Sequence, residues 1–107
     1  MELLQGTLDL LVLRTLSAGE RLHGYAVQRR LAELSGGRLQ VEEGSLYPAL
    51  YRLEHRGWIR SAWGRSENNR KARLHHITPA GRRQLAAERR EWEEFSGTVG
   101  AILGEEA

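Results

Sequence analysis

The chain is 107 residues long, which is enough for one small domain whose single core is only modestly stable. The absence of cysteine excludes a disulfide framework, a thiolate metal site and a cysteine nucleophile. No apolar run reaches about eighteen residues, and the first residues are acidic rather than basic, so we expect a cytoplasmic protein without a membrane span or a signal peptide. The formal net charge is only +2, but the charges are distributed unevenly. Basic residues cluster around the predicted hairpin, and glutamates cluster toward the C-terminus. This asymmetry predicts that one end of the molecule faces nucleic acid.

A first helix is predicted close to the start of the chain, and it is apolar on nearly every side. Leu8 and Leu11 lie on one face, and further leucines lie on the other. Because so small a domain has little core with which to cover such a helix, we infer that a second copy of the chain covers its far side. A helix covered wholly by its own chain is the alternative. Gly19 is predicted to end the helix, and Asp9 to cap or pair at a helix interface.

A second helix is predicted after the segment Leu22 to Tyr25. Val27, Leu31 and Leu34 have the spacing of a buried face, and the two glycines at 36 and 37 end the helix. Two helices separated by a short connection match a helix-turn-helix, with the next helix as its second member.

The third helix has two different faces. Leu46, Leu50 and Leu53 recur at i, i+4 and i+7, which predicts a buried stripe. Proline lacks an N–H and is tolerated in a first turn, so Pro48 predicts that the helix begins near 44–45, with Gly44 or Ser45 as the cap. The opposite face carries hydroxyls, rings and a cation rather than the usual solvated charges, and a phosphate backbone suits it best. The residues of this face are Ser45, Tyr47, Pro48, Tyr51, Arg52 and His55.

A hairpin with a basic tip is predicted to follow. Gly57 is expected to end the third helix in a left-handed conformation, and the runs 59–63 and 72–77 alternate like strands. Leu39 and Val41 are candidates for a short third strand. Charged hairpin tips are often merely solvated, but here asparagines that can reach groove edges and cations that can reach phosphates adjoin the polar helix face.

The last helix is predicted to begin at the Thr78-Pro79 pair, a cap followed by proline at the first helical position, and to reach about residue 103. Its apolar residues form a seam of the coiled-coil kind, too short to associate alone, which needs the first helix of a partner chain as a second surface. The predicted dimer interface consists of Leu8, Leu11, Leu85, Trp92, Phe95, Val99 and Ile102.

The combination of GSLYPALYRLEHRGWI, a later tryptophan, ENNRKAR and ITPAG resembles the PadR family of bacterial transcriptional regulators, and GTLDLLVLRTLSAG and LHGYAV fit that family too. The segment Leu74-His75-His76 departs from it, since the family usually shows aromatics and a basic residue there. The resemblance implies a mostly α fold with a small β-hairpin wing: a winged helix-turn-helix DNA-binding domain over 1–77 and a long dimerisation helix over 78–107. It also implies that Tyr25, in the family's HGY position, touches the DNA backbone; a partly buried tyrosine that packs on the third helix is the alternative.

We therefore expect a sequence-specific DNA-binding regulator, a ligand-responsive repressor, that acts as a homodimer on an inverted-repeat operator in double-stranded DNA. A winged helix that binds proteins and has no specific DNA affinity is the alternative. An enzyme is not expected, because no Ser/His/acid or phosphate-loop spacing appears. The residues predicted to contact DNA are Tyr25, Ser45, Tyr47, Pro48, Tyr51, Arg52, Asn69, Arg70 and Lys71.

Trp92 is a candidate effector site. Across a twofold axis it could face its own symmetry mate and form a slot for a small planar aromatic molecule, as in multidrug-responsive proteins that this chain resembles. The alternative is that Trp92 simply fills the dimer core. Neighbouring histidines on one strand point to opposite faces, so we expect no metal site and no cofactor.

Overall fold

Three helices, a hairpin and a long last helix follow one another along the chain. The computed structural model describes residues 3–104. Within that range the elements are α1 (Gln5–Thr15), α2 (Gly24–Leu34), α3 (Glu43–His55), β1 (Ile59–Arg65), β2 (Lys71–Ile77) and α4 (Pro79–Leu103). The predicted fold class, mostly α with a small hairpin wing and a long C-terminal helix, is confirmed. Within residues 3–104, no helix combines the length and the hydropathy that a membrane span requires.

The core lies between α1, α2 and α3. Val12 and Leu13 of α1, Val27 of α2 and Leu46 and Leu53 of α3 belong to one cluster and are fully buried. Each such side chain contributes about 1.5–3 kcal/mol relative to an exposed one. The leucine spacing of α3 therefore predicted its buried face correctly, and burial of that face turns the opposite one outward.

Helix α1 ends earlier than predicted. Gly19 was expected to end it, but the last helical residue is Thr15. There the Thr15 hydroxyl donates to the Leu11 carbonyl at 2.8 Å, and the Leu16 N–H donates to the Leu13 carbonyl at 3.2 Å, a tightened last turn. Gly19, with φ of +89°, instead shapes the turn toward α2.

Helix α3 begins earlier than its proline predicted. Its first residue is Glu43 and its N-cap is Glu42, so the prediction of Gly44 or Ser45 as the cap is wrong. The Ser45 N–H donates to the Glu42 carbonyl at 3.0 Å. Pro48 consequently lies in the second turn, where its ring removes the hydrogen bond to the Gly44 carbonyl. Gly44 is exposed, so water can satisfy that carbonyl.

The wing is an antiparallel pair in which Trp63 lies opposite Arg73. A third segment does pair with it, but not the predicted one at Leu39. Leu39 is buried in the core, whereas Leu22 bridges His75 through two backbone bonds, of 2.9 Å from the Leu22 N–H and 2.7 Å from the His75 N–H. The residues just before α2 therefore fix the wing to the helical core.

Helix α4 is fixed to the domain at its start. The Thr78 hydroxyl accepts the Gly81 N–H at 3.0 Å, as the predicted cap should, and donates to the Gly57 carbonyl at 2.7 Å. Gly81 packs so closely on the Trp58 carbonyl that no Cβ would fit. Leu85 packs against the core, and the helix beyond it is largely exposed.

One residue predicted for the dimer interface already lies inside the single chain. Leu8 keeps only 8% of its surface exposed and belongs to the core cluster, so its assignment to an interface is corrected. Leu11 is half-buried and packs against the same cluster. Leu4, the N-cap residue just before α1, is 81% exposed. Residues of the same chain therefore cover more of α1 than we predicted from the number of leucines in this helix.

Candidate nucleic-acid interface

The outward face of α3 is aromatic and carries little charge. Tyr47 and Tyr51 are 48% and 69% exposed, and Ser45 and Pro48 are exposed beside them. The Tyr51 ring stacks on His55, with 6.1 Å between ring centroids and 12° between planes. The face therefore offers two phenols, a hydroxyl and a proline ring, groups that can contact base edges and thymine methyls in a major groove.

Tyr47 rests on the first residue of α2. A Cβ at Gly24 would lie 2.6 Å from the Tyr47 hydroxyl and 2.8 Å from its ring, so any other residue at 24 would push the phenol away. Sequence reasoning singled out the tyrosines and missed this glycine. The glycine between His23 and Tyr25 was the available signal, but its partner lies on another helix.

Tyr25 lies at the edge of the same surface. It is 60% exposed, and its ring stacks on His23 with 6.2 Å between centroids and 9° between planes. The Arg29 guanidinium lies 5.7 Å from the Tyr25 centroid. Contacts with an imidazole ring and with a cation both restrain the Tyr25 ring, which stays largely exposed.

The wing tip is tied to the start of α2 by Glu67. Its Oε1 accepts a hydrogen bond from Arg29 Nη2 at 3.2 Å and lies 3.5 Å from His23 Nε2. The hydrogen bond from Arg29 is the main reason that the pKa of Glu67 is lowered from its ordinary value. The other nitrogen of His23, Nδ1, accepts the Ala26 N–H at 3.2 Å and so caps α2.

The tip itself is a tight turn that exposes polar groups. The Asn69 N–H donates to the Ser66 carbonyl at 2.8 Å, and Asn69 has φ of +58°, a conformation that asparagine tolerates. Asn69, Arg70 and Lys71 are all exposed. The Lys71 ammonium lies 5.1 Å from the centroid of Trp63, which is 63% exposed. Sequence reasoning missed Trp63 as a surface residue of the wing.

Arg52 does not belong to the aromatic face. Its Nε donates to Asp9 Oδ2 at 3.0 Å and its Nη2 to Asp9 Oδ1 at 2.7 Å, while Arg56 Nη1 lies 3.8 Å from Oδ2. The hydrogen bond to Asp9 raises the pKa of Arg52. We therefore correct the assignment of Arg52 to the DNA face: its guanidinium is committed to holding α3 on α1. Asp9 pairs at a helix interface, as predicted.

The end of α3 is joined to the wing by a second polar network. The Ser61 hydroxyl donates to the Glu54 carboxylate and accepts a bond from Arg73 Nε at 2.8 Å. Arg73 Nη2 lies 3.8 Å from Glu54 Oε1. The contacts of Glu54 with the wing and of Tyr47 with Gly24 therefore join α3 both to the wing and to the start of α2.

A second surface lies where α1 meets α4. Trp92 and Phe95, with ring centroids 6.2 Å apart, and Glu88 line a shallow cleft of about 250 Å³ whose other side is formed by Gly6 and Leu10. Burial raises the pKa of Glu88. Among the residues that the structure describes, no three His, Asp or Glu side chains are grouped so that they could hold a metal ion.

Residues 12–87 match the family described as the transcriptional regulator PadR-like family. The chain belongs to this family. Its fold is similar to that of a PadR-like transcriptional regulator from Bacillus cereus, with 30% identity, a TM-score of 0.79 and coverage of 95% of this chain and 96% of that one. A transcriptional regulator from Clostridium thermocellum is 27% identical with a TM-score of 0.80, over 91% of this chain and 93% of that one.

A transcriptional regulator of Mycobacterium tuberculosis is 37% identical over 83 residues, which cover 78% of this chain and 74% of that protein. These similarities identify the chain as a DNA-binding transcriptional regulator of the PadR family and not an enzyme. They confirm the resemblance and the winged helix-turn-helix fold expected from the sequence.

Proposed function

We propose that this PadR-family chain is a sequence-specific repressor that works in the cytoplasm as a homodimer on an inverted-repeat operator. The observation that carries the proposal is the aromatic face of α3, flanked on one side by the start of α2 and on the other by the wing. In each half-site α3 enters the major groove, and the wing tip lies on the adjoining backbone or minor groove. Occupation of a promoter by the dimer then blocks transcription.

The contacts divide into two kinds. Tyr47, Tyr51 and Pro48 supply apolar contact to thymine methyls, with the Ser45 hydroxyl on a base edge or phosphate, and these contacts select sequence. Tyr25 and the tip residues Asn69, Arg70 and Lys71 bind phosphates or a narrow groove, which sets position and general affinity.

The test is binding to an inverted-repeat fragment from the protein's own promoter region, compared with a scrambled duplex, over a range of salt concentrations. Arg70→Ala is expected to weaken binding to both duplexes and to reduce the slope of log K against log salt by about 1, because one phosphate contact is lost. Tyr47→Leu is expected to weaken binding to the operator more than to the scrambled duplex. The matched control is Arg90→Ala, an exposed arginine on α4. Equal affinity for the two duplexes would favour the protein-binding alternative.

The homodimer rests on the exposed apolar residues of α4. Trp92, Phe95 and Ile102 are 51%, 61% and 79% exposed in the single chain, and Val99 lies between them in the seam. So much apolar surface on one helix is typical of an interface. We assign residues 78–107 to dimerisation and residues 1–77 to DNA binding. Leu11 and Leu85 add to the proposed interface, although both already pack in part against the core of their own chain.

Ligand response is proposed at Trp92, which lines the cleft between α1 and α4. A planar aromatic molecule that stacks on the Trp92 indole would contact the same apolar surface of α4 that we assign to dimerisation. Titration with a planar aromatic dye, read by tryptophan quenching, should give saturable quenching that Trp92→Ala removes. If quenching does not saturate, or persists in Trp92→Ala, the side chain serves packing alone.

A further inference from the structure

The wing tip contains one acidic residue among cations. Between positions 65 and 71 the sequence reads Arg, Ser, Glu, Asn, Asn, Arg, Lys, and Glu67 is the only acid. On a surface that approaches DNA a carboxylate repels phosphates, so its presence calls for a physical reason. Its partners suggest the reason: the Glu67 side chain is 56% exposed, but its carboxylate contacts the side chains of His23 and Arg29.

These partners lie on the surface that the proposed function assigns to DNA. Gly24, next to His23, is the residue on which Tyr47 of the α3 face rests. The Tyr25 ring stacks on His23 and lies 5.7 Å from the guanidinium of Arg29. Glu67 therefore occupies a position beside two of the tyrosines proposed to contact the operator.

The chemistry of the two donors suits a phosphate. His23 Nδ1 accepts the Ala26 N–H, so in the neutral ring the proton lies on Nε2 and can be donated toward Glu67. Arg29 donates through Nη2 to the same carboxylate oxygen. An imidazole N–H and a guanidinium directed at one anionic oxygen are the donors that phosphodiester oxygens receive in protein–DNA complexes. The positive end of the α2 dipole adds to the same field.

We propose that His23 and Arg29 form a phosphate-contact pair that Glu67 occupies in the free protein, so that Glu67 must leave before a DNA phosphate can bind there. Glu67 thus acts as an internal competitor of the DNA backbone. Any duplex has to displace it, which lowers general affinity for DNA. Once displaced into solvent, the Glu67 carboxylate takes up a cation from solution. The number of cations released when the protein binds DNA is therefore smaller than the number of phosphate contacts implies. This inference rests on the proposed function.

The decisive variant is Glu67→Gln, which keeps the shape of the side chain and removes its charge. Binding to the operator and to the scrambled duplex should tighten together, by about twofold to fivefold, the range for an exposed ion pair. The slope of log K against log salt should steepen by up to about 0.9. The matched control is Glu93→Gln on α4, which breaks another exposed Arg–Glu contact, the 3.8 Å approach of Arg89. It removes the same charge far from the wing and should leave both quantities almost unchanged.

A second pair of variants separates a specific contact from charge alone. In an Arg29→Ala background, Glu67→Gln should lose most of its effect, because the cation that it frees is no longer present. Circular dichroism of each variant verifies that the wing and helices remain folded. The inference is overturned if Glu67→Gln binds DNA no more tightly than Glu93→Gln does. It is also overturned if Glu67→Gln increases the affinity for DNA equally with and without Arg29. In both cases the proposal that the protein binds DNA is unaffected. If the wild type binds neither duplex, the proposed function falls, and this inference falls with it.

Discussion

Replacing Arg52 with methionine should destabilise the protein more than replacing its partner Asp9 with leucine. Arg52 donates two hydrogen bonds of 3.0 and 2.7 Å to Asp9, whose side chain is only 6% exposed. Without Arg52 the carboxylate stays buried, with Arg56 at 3.8 Å as the remaining cation. Breaking a buried pair in this way costs roughly 3–5 kcal/mol, and Arg56 places the value near the lower end, about 3 kcal/mol.

The reverse substitution is milder because the two partners are buried unequally. The Arg52 side chain is 23% exposed, so in Asp9→Leu its guanidinium can turn to water. The loss is then closer to that of hydrogen bonds to a charged group, about 1.5–2 kcal/mol. In the double variant Arg52→Met with Asp9→Leu no charge remains buried, and we expect about 2 kcal/mol less destabilisation than the sum of the single variants.

The assay is urea unfolding followed by circular dichroism at a fixed protein concentration, since association would shift the midpoint. Arg56→Met is the control, because its guanidinium is half exposed and its 3.8 Å contact should contribute less than about 1 kcal/mol. If Arg52→Met costs no more than Arg56→Met, or the double variant equals the sum, Asp9 and Arg52 do not form the anchor that we describe. At temperatures where Arg52→Met stays folded, its sequence preference on DNA should be unchanged, unlike that of a Tyr47 variant.

Three further predictions follow from the geometry. Burial lowers the pKa of His75 from its ordinary 6.5, so protonation of His75 is less favourable in the folded than in the unfolded state. The contribution of neutral His75 to the free energy of unfolding should therefore be fully present above about pH 6.5 and decrease as the pH falls below that value. In urea titrations at about pH 5 and 7.5, His75→Gln should reduce this pH dependence. Gly24→Ala should displace Tyr47 and weaken operator binding in gel shifts, whereas Gly44→Ala, which meets no atom within 4 Å, should leave the Tyr47 position unchanged. Phe95→Glu should convert a dimer to a folded monomer in sedimentation runs; a dimer that persists would place the interface elsewhere.

The features that the sequence predicted well depend on neighbours in the chain. The leucine stripe of α3 follows from helical periodicity, Gly57 adopts φ of +76° after the helix, and Thr78 caps the next helix through Gly81. Each of these signals is contained within a few residues, so elementary rules for caps and periodicity are sufficient to read it.

The features that escaped prediction join residues far apart in the chain. Tyr47 against Gly24 and Glu67 against Arg29 connect different elements, and neither side chain identifies its partner by type or spacing. A lone glutamate in a basic tip was visible in the sequence. Only the fold shows that the start of α2 lies within reach of it.

Arg52 shows why a helical wheel cannot assign residues at the border of a face. It follows Tyr51 and precedes Leu53, so it lies about 100° from an exposed ring on one side and a buried leucine on the other. Its direction is decided by what the fold places opposite, and α1 places the carboxylate of Asp9 there. Leu8, next to Asp9 in α1, is likewise buried in the core of its own chain. Since Leu8 is covered within its own chain, we expect the proposed association of two chains to depend mainly on the exposed apolar residues of α4.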